Sequence, residues 1–486
     1  MTAPMEVRTQ HEASSLLPNE AAIKATDVDT LAPPTMYRRQ QLQSLLSMAI
    51  QLSINQMVRR VFLVTDTAFL GHLGTKELAG AALANLWINV PFNSVQYTLT
   101  ILASTARGAG EFDQIGLWLQ TSLLFALVAC VPVGLLHLFV GDLVGMTMHD
   151  QATIAFAQQY GFTIAIGLLP RYLYACLTAY FATIDVVQPA TITSLVAITL
   201  NVALNQVLIY GIDGYWSGLG FIGSPLASAL SSCVQLALFA TYTIGWKQYH
   251  VPYWNGWTRA AFRTDQIATF LALLLPMAAS SLVDWASLTI AGSSLSILAP
   301  SYSAANAVLL GLFGVMYACA SGFSAATQIY LSRSIGAGNM PAAKTYLMLG
   351  VLLMALMAAL LMSCLAVIQR IVFGLWTSDH AVLHHCVGAF VPFSVGVGSL
   401  FFRFLLSSSA NAVGLERYAL FANNVGAWLV FIPLTQLSVV HWHGALRGYW
   451  GANALSEIIK IVLLGWGLAR RDWTVHVNAT SKESEA

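Results

Sequence analysis

Most polar chemistry in this sequence is confined to a few side chains set in long apolar stretches. The acids are Asp66 and Asp284, the amides Asn201 and Asn205, and the guanidiniums Arg59, Arg60, Arg171 and Arg403. A carboxylate withdrawn from water is driven toward its neutral form, so it can take a cation from one side of a barrier and release it on the other. Asn201 and Asn205 are four apart and share a helix face, where their carbonyl oxygens suit a hard cation or a hydrogen-bond network with Asp66. The other reading of the two amides is adhesion between helices. Arg59 precedes Asp66 by seven residues, about 10 Å along a helix. An Arg59–Asp66 pair would hold Asp66 ionised; alternatively the arginines bind anionic groups of a ligand. Asp284, with Trp285 beside it, is the one charge in its stretch and is a candidate either for a ligand or for pairing with Arg403. Glu457 and Lys460, three apart, are expected to neutralise each other. Trp87, Tyr97, Tyr317 and Trp428 offer faces for flat or cationic ligands.

Enzyme chemistry is not expected. The intramembrane candidates form no paired acids, His–Glu pair or Ser–His pair at catalytic spacing. His72, His384 and His385 sit at turns or span ends, and the six cysteines contain no Cys-x-x-Cys pair. No metal, cofactor or catalytic residue is therefore assigned.

These residues need a scaffold, and the composition names its solvent. Of 486 residues, 57% are hydrophobic and only 9% charged, with a mean hydropathy of +0.68. A water-soluble domain carries roughly a quarter charged residues. The expected partner is a lipid bilayer rather than nucleic acid, since no basic stretch is interleaved with aromatics. Breaks in the apolar pattern predict an all-α protein of twelve spans, near 42–70, 78–104, 115–140, 153–181, 188–211, 218–246, 266–291, 302–330, 345–369, 381–409, 418–440 and 447–469. Arg107, Lys247, Arg259, Arg263, Arg333, Lys344 and Arg417 follow even-numbered spans, which places both termini in the cytosol. Residues 1–40 and 471–486 read as cytosolic tails, the first disordered and without a signal peptide. Glu12-Ala13-Ser14-Ser15-Leu16-Leu17 resembles an acidic dileucine sorting signal, so the plasma membrane and a vacuolar or lysosomal membrane both remain open. The sequon at Asn478 would be cytosolic.

The polar linker 247–265 divides the chain into lobes 41–246 and 266–470. Gly108-Ala109-Gly110 after the second span returns as Gly336-Ala337-Gly338 after the eighth, an offset of 228. Gly223, six residues before Ala229-Leu230-Ser231, returns as Gly448 before Ala454-Leu455-Ser456. Duplicated six-helix lobes with a ligand cavity between them are the expected arrangement.

Several of these stretches resemble the multidrug and toxic compound extrusion (MATE) transporters. Asp66-Thr67-Ala68-Phe69-Leu70-Gly71-His72-Leu73-Gly74 with Glu77-Leu78-Ala79 is similar to that family's motif between spans one and two. Gly322-Phe323-Ser324-Ala325-Ala326 through Ser334 to Lys344 is similar to the motif between spans eight and nine, and Leu275-Pro276 with Asp284-Trp285 to that of span seven. The resemblance covers residues 42–470. It implies an antiporter, expected as a monomer, that exports small organic compounds in exchange for protons or sodium by alternating access. It implies cation coupling through Asp66, Asn201, Asn205 and Asp284, and a substrate cavity including Asp284, Trp285, Tyr317 and Arg403. The two acids favour organic cations. Organic anions, or a lipid-linked oligosaccharide carried by a flippase of the same superfold, are the alternatives. Here the sequence has Thr289 where many eukaryotic members carry a second glutamate, and Arg403 where span ten often carries an acid or glutamine.

Overall fold

The computed structural model describes residues 34–473 apart from 89–92, 147–148, 213, 297, 299 and 378. The dileucine segment, the Asn478 sequon and most of both tails lie outside the described residues. Within them the chain is helical, with one isolated bridge between Ile212 and Trp216.

The first half consists of α1 (Pro34–Leu73), α2 (Thr75–Ile88), α3 (Asn93–Ala109), α4 (Phe112–Leu138), the short α5 (Val140–Gly145), α6 (Gln151–Ile164), α7 (Leu168–Thr183), α8 (Gln188–Tyr210) and α9 (Gly223–Ala240). The second half consists of α10 (Thr264–Ser296), α11 (Pro300–Gly336), α12 (Met340–Trp376), α13 (His380–Ala412), α14 (Glu416–Asn424), α15 (Ile432–Gln436) and α16 (Ala445–Arg470). Among the described residues, ten helical stretches are long and apolar enough to cross a bilayer. α1, which carries Arg59 and Arg60, and the α2–α3 pair either side of 89–92 complete twelve passes. Their boundaries follow the spans expected from sequence. Several helices overrun them: α11, at 37 residues, is about 55 Å long, well beyond the roughly 30 Å hydrocarbon layer.

Local sequence explains the helix limits. Asp150, Asn339 and Asp379 cap α6, α12 and α13 by accepting bonds from Thr153, Ala342 and Ala381 backbone N–H groups at 3.3, 3.0 and 2.7 Å. Pro132, Pro276 and Pro392 lie inside long helices, which membrane packing tolerates. On α12, Met348, Leu352, Leu356 and Leu360 recur every four residues and are all exposed, a stripe that only lipid can cover.

The linker expected at 247–265 is not a free tether. Gln120 on α4 donates to Gly256 O at 2.8 Å and accepts from Thr258 N at 3.0 Å. Beyond it, Phe270 on α10 stacks on Phe125 at 4.8 Å, so the seventh pass starts against the first lobe.

The two Gly-Ala-Gly sequences build the same turn twice. Gly110 and Gly338 take φ of +80° and +68°, the left-handed conformation that suits glycine after a helix end. Glu111 N donates to Ala106 O and Asn339 N to Ser334 O, both at 2.9 Å, at corresponding positions of the repeat. The first glycine of each sequence has a different task. A Cβ at Gly108 would strike the Arg333 carbonyl, and a Cβ at Gly336 would strike the Thr105 carbonyl. Arg333 and Thr105 are themselves 228 residues apart. The lobes thus meet reciprocally, each glycine admitting the other lobe's backbone.

Candidate functional site

Above this crossing, α1, α3, α7, α9 and α11 surround a cavity of about 360 Å³. Asp66, Arg59, Arg60, Arg171, Tyr97 and Tyr317 all line it. In the sequence these residues are separated by up to 258 positions.

Asp66 sits on the cavity wall with only 5% of its surface exposed. Its oxygens accept from two neutral donors, Asn205 Nδ2 at 3.1 Å and Ser228 Oγ. Asn201 Nδ2 donates to the same Ser228 hydroxyl at 3.0 Å, and Asn205 Nδ2 also reaches the Asn201 carbonyl at 3.0 Å. α8 therefore presents both amides on one face, as their spacing predicts, and Asp66 belongs to their network. The side-chain oxygens Asn201 Oδ1 and Asn205 Oδ1 are buried without a described hydrogen-bond donor. A buried acceptor without a donor is costly. Both belong to side chains of the Asp66–Ser228 network, which thus has spare oxygen acceptors of the kind a small hard cation takes.

The Arg59–Asp66 pair weighed from helical spacing does not form. Asp66 turns to α8 and α9, and no described carboxylate lies within ion-pair distance of Arg59.

Ser228 was not anticipated. The signal was present: Ser224, Ser228 and Ser232 recur every four residues on α9, giving it one hydroxyl-bearing face, and all three are buried.

Asp284 lies in a different setting. It borders a second, smaller cavity of about 150 Å³ with Arg60, Tyr317, Arg403, Glu457 and Lys460. Arg403 donates through Nη1 to Asp284 and through Nε to Glu457, each at 2.9 Å. Lys460 completes the ring, 3.4 Å from Asp284 and 2.9 Å from Glu457. Two anions and two cations alternate, and their formal charges cancel. The Glu457–Lys460 contact is the neutralising pair expected from spacing, now joined to Asp284 and Arg403. Of the two readings that the sequence left open for Asp284, a ligand or Arg403, this geometry forms the Arg403 pair and adds Lys460 to it.

Tyr317 lines both cavities and Arg403 the smaller one. Trp285 does not line either one: it is 47% exposed on α10. The correction follows from helical geometry, since the neighbour of an inward-facing residue points about 100° away. Trp428 is likewise on the exposed side. Arg60 links the two cavities, its guanidinium lying 5.8 Å from the Tyr317 ring centre.

On the loop face, Asp185 joins the lobes. It pairs with Arg107 of the first lobe at 2.7 Å and Arg333 of the second at 2.9 Å. Both arginines also donate to the Thr183 carbonyl, at 2.6 and 3.0 Å. Burial pushes the Asp185 carboxyl up, but the Arg333 and Arg107 guanidiniums outweigh it and hold the group below the usual carboxylate range.

Comparison with known proteins agrees with this architecture. The chain is 26% identical over 461 residues to human multidrug and toxin extrusion protein 1, covering 90% of this chain and 78% of that one. It is 24% identical over 467 residues to the zebrafish (Danio rerio) protein of the same name, covering 93% and 77%. The fold is similar to that of the eukaryotic MATE transporter AtDTX14, with a TM-score of 0.84 at 19% identity over 92% of this chain and 99% of that one. It is also similar to the Vibrio cholerae MATE transporter VcmN in the bent form, with a TM-score of 0.77 at 18% identity over 90% and 99%. The MatE family model matches residues 52–207 and 276–437, one segment in each lobe. With twelve passes, two lobes and a polar cavity between them, the chain belongs to the MatE family of multidrug and toxin extrusion transporters.

Proposed function

We propose that this chain is a cation-coupled antiporter that exports small organic compounds by alternating access. The observation that carries the reading is Asp66: a buried carboxylate on the cavity wall, held only by the neutral donors Asn205 and Ser228. A proton or a sodium ion bound there neutralises the buried charge. Asp66 lies on α1, which packs against α11 of the other lobe, so a change of charge at this site bears on a helix at the lobe interface.

The lobes meet through Gly108, Gly336 and the Asp185 ion pairs on the face that loop charges assign to the cytosol. This supports a conformation closed on that side, with opening of the crossing required for the opposite state. Obligatory exchange has a fixed sign: substrate binding must disfavour the bound cation, and the cation must disfavour substrate by the same factor.

Reconstitution in proteoliposomes with an imposed proton gradient, then a sodium gradient, tests this reading. One gradient is expected to drive solute flux, and Asp66→Asn to abolish the response while the protein remains inserted and folded. Unchanged gradient-driven flux in Asp66→Asn would refute Asp66 coupling.

A further inference from the structure

We propose that the central cavity takes small aromatic anions, with a carboxylate or sulfonate held by Arg59 and Arg171 and the ring packed among tyrosines. The inference rests on the reading of this cavity as the substrate site and adds the class of substrate.

Charge carries the argument. Three guanidiniums, those of Arg59, Arg60 and Arg171, line the cavity, against the single carboxylate of Asp66. The fixed charge is therefore +2 with Asp66 ionised. Among the described residues none of the three arginines forms an ion pair. Arg171 donates to the Gly167 carbonyl one turn back, at 3.3 Å, and meets Asp66 only at longer range, without a direct ion pair. Arg60 has the Tyr317 ring. The second lobe shows what self-sufficiency looks like in the same protein: Arg403 and Lys460 each touch two carboxylates. Cationic side chains at membrane depth are costly and persist where water or a ligand compensates them. A cation entering this cavity meets a like-charged wall, whereas an anion supplies the missing partner.

The form of the ligand follows from the lining. Guanidinium forks hold carboxylate and sulfonate groups through paired hydrogen bonds. Tyr97, Tyr174 and Tyr317 line the same space and offer ring faces. The volume of about 360 Å³ fits the lower end of small-molecule sites, which run from about 300 to 1,000 Å³. Arg59 and Arg60 share α1 with Asp66. Within one conformation, neutralising Asp66 favours the anion by charge alone, so exchange of coupling cation for organic anion has to come from the change of conformation between lobes.

The test uses the full chain with two fluorescent probes, anionic fluorescein sulfonate and cationic ethidium. Binding is first measured by anisotropy in detergent without a gradient. Fluorescein sulfonate is expected to bind more tightly than ethidium, and more tightly as salt is lowered. Arg59→Gln and Arg171→Gln are each expected to weaken it about tenfold or more, with Arg171→Lys recovering part of the loss. Asp66→Asn, which raises the fixed charge to +3, is expected to strengthen anion binding, by about two- to tenfold, where a cation site would weaken. Tighter binding of ethidium, anion binding indifferent to salt and to both glutamine variants, or no binding of fluorescein sulfonate would each overturn the proposal. The salt dependence of the unaltered protein keeps the test decisive if a variant fails to fold. Gradient-driven flux then separates the two readings. Arginine-dependent anion binding without coupled flux retains the anion site and removes the antiport. Ethidium flux abolished by Asp66→Asn retains the antiport and removes the anion site.

Discussion

Asp66 and Asp284 are the same residue type, one in each lobe, and sequence reasoning gives them the same role. Their surroundings separate them. Asp66 accepts from an amide and a hydroxyl, neither of which balances its charge. Asp284 accepts from a guanidinium and an ammonium, in a ring that also contains Glu457. A carboxylate held by neutral donors can be neutralised by an arriving cation without breaking an ion pair. Neutralising Asp284 would leave Arg403 and Lys460 sharing one acid in a buried setting. The first arrangement suits exchange of an ion. The second suits a permanent brace that holds α10, α13 and α16 together.

The largest expected effect tests the brace. Asp284→Asn should destabilise the protein by about 3–5 kcal/mol, the scale of breaking a buried ion pair, seen as a fall in Tm in detergent. Adding Lys460→Met restores neutrality, with the Arg403–Glu457 pair intact, and should recover much of the loss. An unchanged Tm in Asp284→Asn would erase the contrast between the lobes.

Next in size is the lobe crossing. Gly108→Ala or Gly336→Ala places a methyl against the opposite lobe's backbone and should cost the closed contact about 1–3 kcal/mol, the usual range for overpacking. The equilibrium between conformations then shifts by about 5- to 150-fold toward opening on that face. Labelling of cysteines introduced along α11 would read this shift; unchanged labelling would show that the crossing is not part of the gate.

Asp66→Asn completes the comparison with a smaller structural effect. The amide keeps the shape of the carboxylate and replaces one acceptor oxygen, so the expected stability change is about 1 kcal/mol. A fall in Tm as large as that of Asp284→Asn would mean that Asp66 is also a brace.

The smallest effect belongs to Asp185. Its folded-state pKa is depressed, so its contribution to stability is present above the unfolded value of about 3.9 and is lost as pH falls through the folded value. With the side chain 42% exposed, screening limits that contribution to roughly 0.5–1 kcal/mol. Between pH 5 and 8, Asp185→Asn should leave the shape of the flux–pH profile unchanged. A profile whose midpoint moves in that window would assign proton sensing to the loop face.

Much of the fold was legible because a bilayer imposes simple rules. Low charge and long apolar runs require helices whose backbone bonds are satisfied internally, and the repeated Gly-Ala-Gly announced two similar lobes. The Asn201–Asn205 face was legible from a spacing of four. Trp285 was misplaced because adjacency to an inward-facing acid says nothing about its own direction on a helix. Ser228 was missed because a serine in an apolar helix is common, and only a carboxylate brought to it from 162 positions away gives it a task.

The sequence by itself determined the solvent, the passes, the repeat and the short list of polar residues, since these depend on composition and local periodicity. It also determined that Glu457 and Lys460 could meet, being one turn apart. Only the tertiary structure decided which charges were left over. Arg403 found Asp284 and Glu457 across 119 and 54 positions, while Arg59 and Asp66, two turns apart on one helix, did not pair. Electrostatic energy depends on distance in space and on local solvation, and neither is fixed until the helices pack.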